Sequence, residues 1–147
     1  MGYTIPMNKV SLIITTLNEE KTIVSLLKSI RDQTLLPDEV IIVDGGSVDI
    51  TVSLVDDYIK KSFIKKGNRS VGRNFAISKA RNNWIAITDA GCILDKNWLK
   101  ELVDKQKNSN AEVVAGYYKA AAESVNKKPL TSFEKAVVPY VLVMPNK

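Results

Sequence analysis

Histidine is missing from this chain of 147 residues, and cysteine occurs once, at Cys92. Without an imidazole there is no neutral-pH base of the usual kind and no Ser-His or Cys-His nucleophile pair. The common zinc ligand sets fail as well, since they need imidazoles or several thiolates. A lone thiol forms no intrachain disulfide and suits a reducing compartment. With no histidine to lower its pKa, Cys92 reads as a small buried residue and not as a nucleophile. Proton transfer is left to Asp, Glu, Lys or Tyr. No apolar run approaches the ~20 residues that cross a bilayer, and the opening MGYTIPMNKV lacks a basic segment followed by an apolar signal core. These absences point to a cytoplasmic protein, with membrane association of a full-length form left open. Neither G-x-G-x-x-G nor G-x-x-x-x-G-K-[ST] occurs, which disfavours a dehydrogenase and a P-loop NTPase.

Acid is missing locally. The net charge is only +5, yet no carboxylate stands between Asp57 and Asp89, while Lys60, Lys61, Lys65, Lys66, Arg69, Arg73, Lys79 and Arg81 all do. Such an excess attracts phosphates by long-range field, or is simply a solvated face. Nucleic acid is not expected, because only Tyr58, Phe63, Phe75 and Trp84 offer rings for stacking bases.

The sequence does have the size and mix of one soluble domain, 45% hydrophobic and 25% charged. VSLIITT, residues 10–16, is a β-branched apolar strand, and Ile23, Leu26, Leu27 and Ile30 after it recur at helical spacing. Pro37 closes that helix before a second strand at 40–43. A second helix places Ile50, Leu54, Val55, Tyr58 and Ile59 on one face, with Ser47 or Asp49 as its cap. Phe63 and Ile64 allow a short third strand. RSVGRNFAISKARNN follows as a helix with Ala76, Ile77 and Ala80 inward, then the strand WIAIT, a helix at 97–107 and a strand at 113–118. Alternating β and α units imply a mostly parallel sheet covered by helices, in which ligands sit outside the carboxyl ends of the strands. TTLNEE, VDGGS and TDAGC are three such ends. The closing PLTSFEKAVVPYVLVMPNK is apolar and cut by Pro139 and Pro145; it reads as a chain that continues or as a helix docked on its own domain.

Each strand end has a chemical reading beside a plain one. Asp44-Gly45-Gly46-Ser47 lets backbone N–H groups approach a ligand while Asp44 accepts from a base or a ribose, although a tight turn needs the same residues. Arg73, near the start of its helix, can fork onto a diphosphate or stand as surface charge. Asp89, followed closely by Gly91, can hold a hard cation that bridges to phosphates, or serve as a turn residue.

In this order, SLIITTLNEEKTI, VIIVDGGSVDIT, GNRSVGRNFAI, IAITDAGC and the Trp98-Leu99 pair resemble family 2 glycosyltransferases of the GT-A fold, over about residues 10–118. The resemblance implies an α/β, Rossmann-like, mostly parallel sheet with helices on both faces. It implies a single domain whose nucleotide-binding half runs from about 9 to 118 and whose acceptor half, 119–147, is incomplete. A nucleotide-diphosphate sugar would be the donor, its sugar passing with inversion to an unknown acceptor hydroxyl. Thr15, Asn18, Glu19 and Asp44 would line the nucleoside, with Gly45 and Gly46 among the binding residues. Arg73 and Arg69 would face the diphosphate. Asp89 would meet the sugar or a divalent cation, Mg or Mn, and Asp49 and Thr51 would support the second helix. Three departures accompany the match. The family's V-D-D-G-S has become Asp44-Gly45-Gly46-Ser47, the second acid of its D-x-D motif is Gly91, and the family's second half, which brings the acceptor site and the catalytic carboxylate base, has almost no room after Tyr118. The only late acids, Glu123 and Glu134, read as surface residues and not as that base. The chain alone is therefore expected to bind donor and transfer little sugar. A non-catalytic nucleotide-sugar-binding module is the alternative, and a basic nucleic-acid-binding or scaffold domain a more distant one.

Overall fold

The structure is a computed structural model and describes residues 9–59, 62–109, 111–117 and 140–145. Lys60, Lys61, Tyr118, Glu123, Glu134 and Pro139, named above, lie outside the described residues. In chain order the elements are β1 (Val10–Thr16), α1 (Ile23–Arg31), β2 (Glu39–Asp44), α2 (Thr51–Asp56), β3 (Ser62–Ile64), α3 (Arg69–Lys79), β4 (Trp84–Asp89), α4 (Trp98–Ser109), β5 (Val114–Tyr117) and β6 (Tyr140–Pro145).

They form one six-stranded sheet in the order β3-β2-β1-β4-β6-β5. β1 pairs in parallel with β2 and β4, and β2 with β3, whereas β6 runs antiparallel to both β4 and β5. The period-2 alternation of a strand distributes each one's side chains between two cores. Leu12, Ile14, Ile42 and Ala86 pack with Ile23, Leu26, Leu27 and Ile30 of α1, Val55 of α2 and Leu99, Leu102 and Val103 of α4. Their neighbours Ile13, Ile41, Val43 and Ile85 pack with Ala76 of α3 on the other face. Helices therefore cover both faces, and β1 is apolar nearly throughout because both of its sides are buried. Each such Leu, Ile or Val side chain contributes roughly 1.5–3 kcal/mol by leaving water.

Two buried polar groups tie the layers together. Gln33, just beyond α1, donates from Nε2 to the carbonyls of Ser29 (3.1 Å) and Asp95 (2.6 Å) and accepts the Leu99 N–H at Oε1 (3.1 Å), so it satisfies an otherwise free donor in the first turn of α4. Glu39, at the opposite end of the sheet from the strand carboxyl ends, accepts from Ser11 Oγ, Arg81 N and Arg81 Nε at 2.9–3.0 Å.

Several expectations need adjusting. α2 is shorter than its apolar spacing predicts, and Ile50 precedes it in an exposed position. Asp49 Oδ1 accepts the Thr51 N–H at 3.0 Å and fixes the start there, while Ser47 takes no part in that cap. Cys92 is half-buried. Within the apolar tail, 140–145 is a strand and not a helix, its pairing completed on both edges by β4 and β5.

α3 lies so close to β1 that a Cβ on Gly72 would come within 2.9 Å of Thr15 Cγ2. A β-branched side chain there forces the helix off the sheet. Gly72→Val is expected to lower the unfolding free energy by about 1–3 kcal/mol, as overpacking does, measured by urea denaturation. An unchanged midpoint would show that α3 has room to spare.

Candidate functional site

The chain lays β2 and β3 to one side of β1 and then returns to place β4 on the other. That reversal opens a crevice outside the carboxyl ends of β1 and β4. The register aligns those ends: Thr15 stands opposite Asp89, and Thr16 opposite Asp44. The crevice encloses about 550 Å3. Of the residues singled out in the sequence, Thr15, Glu19, Gly45, Arg69 and Asp89 line it; Asn18, Asp44, Gly46 and Arg73 do not. Thr16, Gly67, Asn68, Gly72 and Ala90 line it too. Sequence reasoning passed over these, though Gly67, Asn68 and Gly72 stood in the block GNRSVGRNFAI.

Asp44 is only 4% exposed and all its contacts are internal. Oδ1 accepts the N–H groups of Gly46 (2.8 Å) and Ser47 (2.7 Å), while Oδ2 accepts the hydroxyls of Thr16 (2.9 Å) and Ser47. Burial alone would raise the Asp44 carboxyl; the Ser47 hydroxyl and N–H, the Gly46 N–H and the Thr16 hydroxyl together hold it below its ordinary value. Asp44 thus shapes the loop that Gly45 and Gly46 open, with Gly46 at φ 106°, where a side chain is strained.

The loop after β1 is stitched to this one. Asn18, at φ 55°, accepts the Val48 N–H at Oδ1 (2.9 Å), and its own N–H donates to Ser47 Oγ (2.8 Å). The Glu19 N–H donates to Thr51 Oγ1 (2.8 Å) and the Glu20 N–H to Asp49 Oδ2 (3.2 Å). Asp49 is held below its ordinary value chiefly by the Thr51 hydroxyl. One wall of the crevice is therefore two loops locked by their own short polar side chains.

The other wall is the start of α3, capped by Asn68, whose Oδ1 accepts the Val71 N–H at 3.0 Å. A helix start presents free N–H groups and a partial positive charge to an anion. Arg69 adds a full charge at the rim. One turn on, Arg73 Nη2 donates to Asp89 Oδ1 at 2.7 Å, and Arg69 Nη1 stands 3.9 Å from Oδ2. Arg73 Nε is enclosed without a hydrogen-bond partner. The Arg73–Asp89 pair is partly exposed, so it orients the two side chains more than it stabilises the fold.

As a metal ligand Asp89 stands alone. Among the described residues no three carboxylate or thiolate groups gather, and both Asp89 oxygens face guanidinium groups. Mg or Mn takes about six oxygen ligands, so this donor set does not fit a cation held by the protein unaided.

A family model, Glycosyl transferase family 2, matches residues 11–145. The chain belongs to this family. Among its relatives, a cholesterol galactosyltransferase of Borreliella burgdorferi is 29% identical over 133 residues, covering 85% of this chain and 37% of the relative. The poly(ribitol-phosphate) β-N-acetylglucosaminyltransferase TarP of Staphylococcus aureus is 28% identical over 141 residues, covering 90% of this chain and 43% of TarP. The family 2 chain thus spans about two-fifths of these relatives. Among solved structures, S. aureus TarS 1-349 in complex with UDP superposes with a TM-score of 0.64 at 29% identity, over 71% of this chain and 34% of that 1-349 chain. A mannosyltransferase of Pyrobaculum calidifontis, at 24% identity and TM-score 0.64, shares the fold. The mostly parallel sheet with helices on both faces is thus the GT-A fold of family 2.

Asp44→Asn is expected to cost about 1.5–3 kcal/mol at neutral pH, because hydrogen bonds to a charged acceptor are lost. With its folded pKa lowered from 3.8, the Asp44 carboxylate contributes stability that is fully present above that value and is lost as the pH falls through the lowered one. The wild-type advantage over Asp44→Asn should therefore be flat near neutrality and shrink only in acid, read by urea denaturation across pH. A difference that already fades at neutral pH would contradict this.

Proposed function

We propose that this chain is the donor-binding part of a glycosyltransferase that takes a sugar from a nucleotide diphosphate. What carries the reading is the crevice at the strand reversal, with a cationic helix start on one wall, in a chain that is 29% identical to the matched part of a protein solved with UDP.

In this reading the base and ribose lie against the locked loops, where Thr15 and Glu19 offer polar groups and Gly45 lets backbone come close. Asn18, Asp44 and Gly46 act one step back, by holding the shape of that wall. The diphosphate lies at the start of α3 and draws on Arg69 and Arg73. Asp89 already occupies one arm of Arg73, so the phosphates share or displace that contact, and the freed carboxylate is left close to the sugar. Transfer with inversion needs a carboxylate to take the acceptor's proton while the guanidinium groups offset the charge left on the departing diphosphate. No described residue is assigned to that base. A divalent cation would find one carboxylate at Asp89 and take its other ligands from the diphosphate and water.

Titration calorimetry with UDP and GDP, with and without manganese, tests the reading. Arg73→Ala should weaken nucleoside-diphosphate binding by about 1.5–3 kcal/mol, the worth of a hydrogen bond between charged groups. Equal affinity in the variant takes Arg73 out of the site. Metal and nucleotide should strengthen one another by the same factor, and Asp89→Ala should abolish that coupling. A nucleotide affinity indifferent to manganese in the wild-type chain would leave Asp89 as a partner of Arg73 only.

A further inference from the structure

The wall of the crevice that takes the base in this reading is short of side chains free to read one. Asp44 is filled by four internal donors, Asn18 and Ser47 join the two loops, and Asp49 and Thr51 bond to each other. Glu19 lines the crevice but is turned to the Thr22 hydroxyl beside the start of α1. Gly45 and Gly46 have no side chain to offer.

A cation stands on the rim of this wall. The Lys65 N–H donates to the Asp44 carbonyl at 2.8 Å, which sets the segment after β3 beside the turn after β2. There Lys66 lays its stem along Gly46: a Cβ on that glycine would stand 3.2 Å from Lys66 Cγ and 3.8 Å from its Cδ and Cε. The next residue, Gly67, lines the crevice, and its carbonyl would lie 3.2 Å from a Cβ on Gly45. The lysine thus uses the room that a side chain at 46 would take. Lys66 is exposed, and among the described residues no carboxylate pairs with it.

Position separates this cation from the two arginines. β2 lies on one side of β1 and β4 on the other. Arg69 and Arg73 meet Asp89 at the end of β4, whereas Lys66 lies against the turn that ends β2. An ammonium group offers three donors and no acceptor. It suits a ring carbonyl and opposes an exocyclic amino group, which donates as well. Thymine, uracil without its methyl group, and guanine carry a carbonyl where cytosine and adenine carry an amino group.

We infer that Lys66 selects the base of the donor, accepting an edge that bears a carbonyl and disfavouring one that bears an amino group. This selection rests on the donor reading and adds to it the class of base.

Titration calorimetry of the 147-residue chain with UDP and CDP is the test, because the two ligands share ribose and diphosphate and differ in the base alone. The wild-type chain is expected to bind UDP about tenfold more tightly, the lower end of the worth of a hydrogen bond to a charged group. K66M keeps an unbranched stem along Gly46 and loses the ammonium. Its UDP affinity should fall to about that for CDP, with CDP affinity unchanged. K66R, also a donor without an acceptor, should keep the preference. The ratio of the two affinities is read within one protein, so a partly misfolded variant still reports it. Equal affinity of the wild-type chain for UDP and CDP, or an undiminished preference in K66M, would overturn the inference. So would an equal loss on both ligands in K66M, which would put the ammonium at the diphosphate. Binding of neither ligand by the wild-type chain would remove the donor reading, and this selection with it.

Discussion

The placement of β1 between β2 and β4 is the constraint on which the site depends. A strand hydrogen-bonded on both edges and packed on both faces cannot shift register without exposing every apolar side chain it buries. Thr15 is therefore fixed beside Asp89, and Thr16 beside Asp44. α3 is set by the same strand, since the missing side chain at Gly72 lets it lie against Thr15 and brings Arg69 and Arg73 to the strand end. The crevice is less a pocket carved into the protein than the remainder left where a parallel sheet changes direction.

Two kinds of acid serve that crevice. Asp44 is spent internally, four donors converging on its two oxygens, and its charge organises backbone. Asp89 keeps only side-chain partners, both of them cationic and both on α3. The first contributes rigidity. The second is a partly exposed ion pair, which holds two side chains and no backbone.

The sequence carried much of this openly. Ile23, Leu26, Leu27 and Ile30 announce α1 by spacing alone, and all four are buried. The three polar strand ends meet because parallel strands put their carboxyl ends on one side. What stayed hidden depends on partners distant in sequence. Asp44 looked like a ligand-facing carboxylate because nothing local reveals that Thr16, 28 residues earlier, donates to it. Gln33 looked like an ordinary polar residue after a helix, yet it joins α1 to α4 across 66 residues. Tyr140–Pro145 is a short, continuously apolar run with a proline on either side, which periodicity alone does not tell from a helix, and only the open edges of β4 and β5 select the strand.

That last strand bears on how the protein is made. β5 reaches the sheet only through β6, which is synthesised more than twenty residues later and runs between β5 and β4. During synthesis β1 to β4 can assemble as they emerge, but β4 then presents a row of unpaired backbone groups until residues 140–145 arrive. Until that moment the nascent domain is a half-closed sheet with a sticky margin, open to pairing with any other extended chain. A ribosome pausing between β5 and β6 would prolong its most aggregation-prone state.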